Sequence, residues 1–229
     1  MNIYNVLCAY FKPTFFMKIK FLLTLLFAVG MAFTSMAQSV SFGPRVGATF
    51  SKISLSDGDG NELEDELKYT PGLQVGVVAN FNVSELLSIQ PELLFVQKGY
   101  KLGDSDTHIK GTSNYIEVPV LAKITFGSEQ VKGFVTGGPT VGYLASGKMS
   151  MKYDGTKASD SYEFEDEDNR MELGASFGVG LGYNLGAGAL NLDVRYGLGL
   201  TSLYEVESGE SKSRNRVLGV SVAYLFGGK

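Results

Sequence analysis

The run Met171-Glu172-Leu173-Gly174-Ala175-Ser176-Phe177-Gly178-Val179-Gly180-Leu181-Gly182-Tyr183-Asn184 alternates without a break. Met171, Leu173, Ala175, Phe177, Val179, Leu181 and Tyr183 take one parity; Glu172, Gly174, Ser176, Gly178, Gly180, Gly182 and Asn184 take the other. A period of two is the side-chain period of an extended strand, in which successive Cβ atoms point to opposite faces. The run is also long. Strands of globular proteins cluster near about 5–6 residues, whereas a tilted strand crossing a bilayer needs about 9–11.

Outward from this stretch the pattern recurs, giving eight segments after residue 38. The first, near 40–54, sets Val40, Phe42, Val46, Ala48 and Phe50 against Ser41, Gly43, Arg45, Gly47, Thr49 and Ser51. The second and third set Leu73, Val75, Val77, Ala79 and Phe81, then Leu87, Ile89, Leu93 and Phe95, against polar sets that include Gln74, Asn80, Ser88, Gln90 and Glu92. The fourth sets Ile116, Val118, Val120, Ala122, Ile124 and Phe126 against Tyr115, Glu117, Lys123 and Thr125. The fifth is the least regular, with Val131, Val135, Val141 and Tyr143 against Lys132, Thr136 and Thr140. After the run that opens this section, the seventh sets Leu190, Leu192, Val194, Tyr196, Leu198 and Leu200 against Asn191, Asp193, Arg195 and three small residues. The eighth sets Leu218, Val220, Val222, Tyr224 and Phe226 against Gly219, Ser221 and Ala223.

Alternation alone also fits a half-buried soluble sheet. Three features favour a membrane. Connections alternate between tight (82–85, 127–130, 186–188) and long and polar (55–68, 101–113, 146–169, 205–213), as periplasmic turns and outer loops do. Aromatic residues gather at both ends of the apolar face: Phe50, Tyr69, Tyr143 and Tyr204 at the loop end, Phe42, Phe81, Phe126, Tyr183 and Tyr224 at the turn end. The apolar segments reach crossing length. The expected fold is therefore all-β, an eight-stranded antiparallel transmembrane β-barrel of up-and-down topology in the cell outer membrane. In lipid every backbone polar group must be paired within the protein, so the sheet must close.

The polar face then turns inward, and at eight strands side chains fill the interior. Arg45, Glu92, Glu117, Lys123, Lys132, Glu172, Asp193 and Arg195 carry both signs and are expected to form an internally paired network, with inward glycines making room for them. Pro44, Pro91, Pro119 and Pro139 fall within the segments and lack a ladder donor; bulges or inward water are the ways to absorb them.

Residues 1–37 read as a signal peptide: Lys18 and Lys20 after Met17, an apolar run from Phe21 to Phe33, and Ser35-Met36-Ala37 before Gln38. The expected translation start is Met17, and residues 38–229 form the barrel domain. Without the leader, 17 bases face 24 acids, a formal charge of −7, which argues against nucleic acid as a partner. The one cysteine, Cys8, lies in the leader, so neither thiol chemistry nor a lipoprotein anchor is expected.

The run Gln90-Pro91-Glu92-Leu93-Leu94-Phe95-Val96-Gln97-Lys98-Gly99, followed by Asn114-Tyr115-Ile116-Glu117-Val118-Pro119-Val120-Leu121, resembles the paired motifs of the PorT-like outer-membrane β-barrel family of Bacteroidetes. Gly137-Gly138-Pro139 and Arg195-Tyr196-Gly197-Leu198-Gly199-Leu200 resemble its closing strands. The resemblance covers essentially all of 38–229 and implies a fold and a membrane. Similar barrels carry Pro after the Glu of the fourth strand. Most members have no assigned activity, and the founding one is linked to protein secretion in gliding bacteria.

Four stretches invite a functional reading. Asp57-Gly58-Asp59-Gly60-Asn61 opens like a calcium loop, but Glu62 and Lys68 stand where Gly and Glu are needed, which leaves a solvated acidic loop. Glu163-Phe164-Glu165-Asp166-Glu167-Asp168 could gather cations beside lipopolysaccharide and reads better as a solvated loop. Gly174, Gly178, Gly180 and Gly182 share one strand parity with no helix after them, unlike a nucleotide loop. His108 near Ser105 and Asp106 is a triad by composition only, because triad geometry comes from tertiary placement. No catalytic residue, metal ligand or cofactor is expected. The leading reading is a non-enzymatic barrel acting through its outer loops. Its expected partners are outer-membrane lipid and lipopolysaccharide, the barrel-assembly machinery that reads a C-terminal Tyr224/Phe226 pattern, and an envelope protein. A small porin or secretion-associated barrel, a lipid-modifying enzyme and a soluble lipocalin-like carrier are the alternatives.

Overall fold

The computed structural model describes residues 40–57, 68–104, 107–153, 156–162, 170–201 and 211–227. The leader, residues 58–67, Ser105 and Asp106, the acidic tract 163–168 and Tyr204 lie outside the described residues. Nine strands are present among them: β1 (Val40–Asp57), β2 (Thr70–Asn82), β3 (Leu87–Gly103), β4 (His108–Gly127), β5 (Val131–Tyr153), β6 (Thr156–Tyr162), β7 (Met171–Asn184), β8 (Gly188–Gly199) and β9 (Ser211–Gly227). All pair antiparallel, in the order β4-β3-β2-β1-β9-β8-β7-β5, and β4 pairs with β5 as well. Eight strands thus close into an up-and-down barrel with no free edge in its wall. The ninth, β6, folds back on β5 alone as a hairpin arm.

The wall is inverted relative to a soluble protein. Phe42, Leu73, Val77, Leu93, Val120, Phe177, Leu181 and Val220 are exposed on its outside, Phe42 to 62 %. Arg45, Gln74, Glu92, Lys123, Glu172, Asp193 and Ser221 are buried within. An apolar exterior around a polar, filled interior is unstable in water and suits a bilayer, where the outer side chains meet hydrocarbon. Not every inward position is polar: Val78, Leu94, Val96, Leu121, Phe134 and Leu225 are buried as well.

Two of the expected long connections are strand. β3 and β4 continue pairing through Lys101↔Lys110 to Gly103↔His108, so 101–103 and 108–113 form a paired ribbon. β5 runs on to Tyr153 and returns as β6, so 146–162 is a hairpin. β4 has 20 residues and β5 23, about twice what crossing requires. Beyond the crossing length apolar residues no longer keep to the outer face, yet the backbone groups still pair. At the other end the connections are tight and held by side chains, as where the Leu87 amide donates to Ser84 Oγ (3.0 Å) and that of Val131 to Ser128 Oγ (3.1 Å).

The prolines are accommodated without bulges. At Pro44 the β1–β9 ladder lapses between Phe42↔Phe226 and Arg45↔Ala223 and resumes in the same register. Equivalent two-residue gaps occur between Val78↔Glu92 and Phe81↔Ile89, between Pro91↔Val120 and Leu94↔Glu117, and between Pro119↔Thr140 and Ala122↔Gly137. The register shift in these ladders lies instead at Asn114/Tyr115. Glycine precedes two of the prolines and permits close approach: a methyl group on Gly43 would sit 1.8 Å from the Tyr224 carbonyl oxygen, and one on Gly138 2.2 Å from that of Val120. Gly219 is also inward, but its nearest atom would be 3.7 Å away.

Gly43→Ala should therefore lower stability by about 1–3 kcal/mol, the usual cost of overpacking against atoms that cannot yield, while Gly219→Ala should be near neutral. Urea midpoints of the refolded barrel, read from gel mobility because the chain has no Trp, check this. Equal midpoints for the two variants would contradict the close β1–β9 approach.

Candidate functional site

The lumen is crossed by two layers of paired charge. The first is built on Glu92 of β3. Arg195 of β8 grips it with a two-pronged contact, Nη1 donating to Oε2 (2.8 Å) and Nη2 to Oε1 (3.0 Å). Gln90 Nε2 donates to the same Oε1 (2.6 Å), and Arg45 Nη1 of β1 reaches it at 3.4 Å. Arg45 Nη2 lies on both carboxylate oxygens of Asp193 (2.5 and 2.6 Å) and on Ser221 Oγ, which itself donates to Asp193 Oδ1 (3.1 Å). In the ring β3 and β8 are separated by β2, β1 and β9, so the Arg195–Glu92 pair ties opposite walls together. The planar guanidinium fork suits that span, since each of its prongs meets one carboxylate oxygen.

The second layer is nearer the long-loop end. Lys98 Nζ of β3 donates to Glu117 Oε1 on β4 (2.8 Å) and Glu172 Oε1 on β7 (3.0 Å) and lies 4.4 Å from the centre of the Tyr115 ring. Asn215 Nδ2 on β9 holds the other Glu172 oxygen at 2.7 Å. Glycines make the space: an ideal Cβ on Gly142 would stand 3.3 Å from Glu117 Cγ, and one on Gly199 3.1 Å from Glu172 Oε1. A cavity of about 40 Å³, bordered by Lys98, Glu117, Glu172, Ser176 and Arg195, lies between the layers and is large enough for a water molecule.

Of the residues expected to face inward, Arg45, Glu92, Asp193 and Arg195 thus share the first layer, and Glu117 and Glu172 the second. Lys123 joins neither. It is buried to 5 % exposure with its ammonium 4.1 Å from the centre of the Phe134 ring, and no carboxylate oxygen lies within 4.0 Å of it among the described residues. Lys132 is exposed and lines the mouth at the turn end. Sequence reasoning passed over Lys98, Gln90, Tyr115, Asn215 and Ser221 as members of the network. Lys98 was findable: it has the parity of Glu92, six positions on.

The remaining motifs carry less. Gly174, Gly178, Gly180 and Gly182 are wall positions of β7. His108 Nδ1 lies 3.0 Å from the Asp104 carbonyl oxygen; its supposed partners Ser105 and Asp106 are outside the described residues. At the same turn the Lys68 ammonium, 2.9 Å from Asp104 Oδ1, holds the exposed Asp104 carboxyl below its ordinary range. The loop residues of the calcium-like motif and the 163–168 tract are likewise outside. Among the described residues no group of three or more His, Cys, Asp or Glu is placed to hold a metal ion.

Removing one partner of a buried pair leaves the other charge uncompensated, which costs about 3–5 kcal/mol. Glu92→Ala, which strips Arg195 of both its short contacts, should lower barrel stability by that amount. The double variant Glu92→Leu/Arg195→Leu should lose less than Glu92→Ala. Urea unfolding followed by gel mobility decides it. A Glu92→Ala barrel as stable as the parent would show that the layers do not hold the walls together.

A comparison with protein families agrees with this architecture. Residues 36–205 match the family model described as the outer membrane protein beta-barrel domain. Among curated proteins no sequence matches significantly. The chain is similar to several solved barrels. Ail, the attachment invasion locus protein of Yersinia pestis, is 16 % identical with a TM-score of 0.41, over 82 % of this chain and 99 % of that one. OprG from Pseudomonas aeruginosa is 12 % identical with a TM-score of 0.46, over 83 % and 96 %. Neisserial surface protein A is 15 % identical with a TM-score of 0.38, over 80 % and 97 %. With the family match spanning most of the chain, and a closed eight-stranded wall that is apolar outside and charge-paired inside, the protein belongs to the outer-membrane β-barrel domain family and crosses the outer membrane as a multi-pass barrel.

Proposed function

We propose that this is a closed, non-enzymatic barrel of the PorT-like kind found in Bacteroidetes, acting at the cell surface through the arm that β3, β4, β5 and β6 raise above the membrane. The PorT-like reading is supported by where its two motifs fall: Gln90, Glu92 and Lys98 of the first and Tyr115 and Glu117 of the second all serve the lumen layers. Paired side chains from β1, β3, β4, β7 and β8 occupy the lumen, which favours a scaffold role for the interior and a function at the surface.

One observation on the arm carries the surface reading. Cross-strand register sorts its residues into two faces. Leu102, Ile109, Met151 and Ala158 stand opposite one another across the four strands, on the side that continues the lumen. Lys101, Lys110 and Ser150 stand opposite one another on the other side, and Lys148 and Lys152 share that parity. The side facing hydrocarbon lower down is thus lysine-bearing above it, at the level of anionic headgroups. Each Lys near an anionic membrane surface contributes about 1 kcal/mol. Lipopolysaccharide, with its phosphates, is the partner that fits this face, and an envelope protein could take the exposed Met149, Met151 and Tyr153 of the opposite one.

The test is binding of solubilised lipopolysaccharide to the refolded barrel. The parent should bind saturably and more weakly as salt rises. The variant Lys101→Gln/Lys110→Gln/Lys148→Gln/Lys152→Gln should bind about tenfold or more weakly with its heat-modifiable mobility intact. Undiminished binding by a folded variant would overturn the reading.

A further inference from the structure

The turn end of the barrel opens into a cavity of about 420 Å³. All eight wall strands contribute to its lining, from Ser41 on β1 and Asn80 on β2 round to Asn191 on β8 and Leu225 on β9, so it is the mouth of the lumen and not a surface groove. Its floor is closed. Val78, Ala223 and Leu225 pack together beneath it, and the gap they share with Arg45, Asp193, Lys123 and Phe134 has no room for a water. In barrels of this class the short turns face the periplasm, so the mouth is reached by periplasmic solutes.

We infer that this mouth is a binding site for a small oxyanion, a phosphate or carboxylate group, with Lys123 as its principal ligand and Lys132 as its outer one. Each of the other buried charges (Arg45, Glu92, Lys98, Glu172, Asp193, Arg195) has an opposite charge within 4.0 Å; Lys123 has none among the described residues. A charge kept from water is costly unless it is paired, and the face of Phe134 compensates an ammonium only in part. Lys123 lines the cavity, with Lys132 on the same lining. Ser88 and Asn191 add a buried hydroxyl and a buried amide, and Asn80 Nδ2, which donates one N–H to Asn82 Oδ1 (2.9 Å), has a second to offer. Glu85, the one carboxylate on the lining among the described residues, stands at the rim and disfavours ligands of high negative charge. The site is thus suited to one oxyanion group on a small solute.

The experiment titrates inorganic phosphate, and separately acetate, into the refolded, 15N-labelled barrel at constant ionic strength held with sodium chloride. The side-chain amide resonances of Asn80 and Asn191 should shift saturably. Lys123→Met should weaken binding at least tenfold and Lys132→Met by a smaller factor, with heat-modifiable mobility retained. Tighter binding of phosphate points to phosphoryl solutes, and tighter binding of acetate to carboxylates. Shifts that never saturate, or that persist unchanged in Lys123→Met, overturn the proposal. Should Lys123→Met not refold, undiminished binding by a folded Lys132→Met, whose side chain is exposed, overturns it equally.

Discussion

The structure depends on neutralising charge inside a closed wall. A barrel in lipid has no edge through which to vent a polar group, and an eight-stranded lumen is too narrow for bulk water to solvate one. Arg45, Arg195 and Lys98 pair with Glu92, Asp193, Glu117 and Glu172, while Lys123 has no carboxylate oxygen within 4.0 Å among the described residues. The pairing is more than local compensation. Arg195–Glu92 reaches across three intervening strands, and Lys98 joins β3 to β4 and β7, so the same contacts that neutralise charge also brace the wall. Glycine spacing follows from this, because long side chains fit only where a facing residue has no side chain, as at Gly142 and Gly199.

Much of this was legible in the sequence because strand parity is strict. One-residue steps flip every side chain to the other face, so a clean alternation such as 171–184 assigns inside and outside together. What the alternation did not reveal lies where its physical cause weakens. Beyond the bilayer nothing forces apolar residues outward, and 101–113 and 146–162 looked like loops although their backbones pair to Gly103↔His108 and Tyr153↔Thr156. Inside, apolar residues of inward parity such as Val78, Leu121 and Leu225 broke the expected polar lining. Who pairs with whom across the lumen was beyond reach: it depends on ring order and on the stagger between strands, and no local pattern carries either. Hence the role of Lys98 as the hub of the second layer went unread, though its inward parity was legible, and Lys123, which borders the first layer without an ion pair within 4.0 Å among the described residues, was grouped with the pairs.

The two ends of the barrel differ for related reasons. At the turn end the strands stop short, and the floor of apolar residues lies well inside, which leaves an open mouth holding the one buried cation that, among the described residues, lacks a direct counter-charge. At the loop end the strands overshoot, and the excess of β4 and β5 becomes a paired arm whose lysine face begins where the apolar belt stops. The prolines sit between these ends. Each interrupts two residues of a ladder but not the register, so the wall keeps its continuity.

The most direct test of the central claim, that cross-lumen ion layers close the barrel, is ion conduction. The parent protein, refolded and inserted into planar lipid bilayers, should give no discrete conductance steps, whereas Arg45→Ala/Glu92→Ala/Lys98→Ala should give small, brief ones. Stable steps from the parent barrel would contradict the account, because a lumen that conducts cannot be sealed by Arg45, Glu92, Asp193 and Arg195 in the arrangement described.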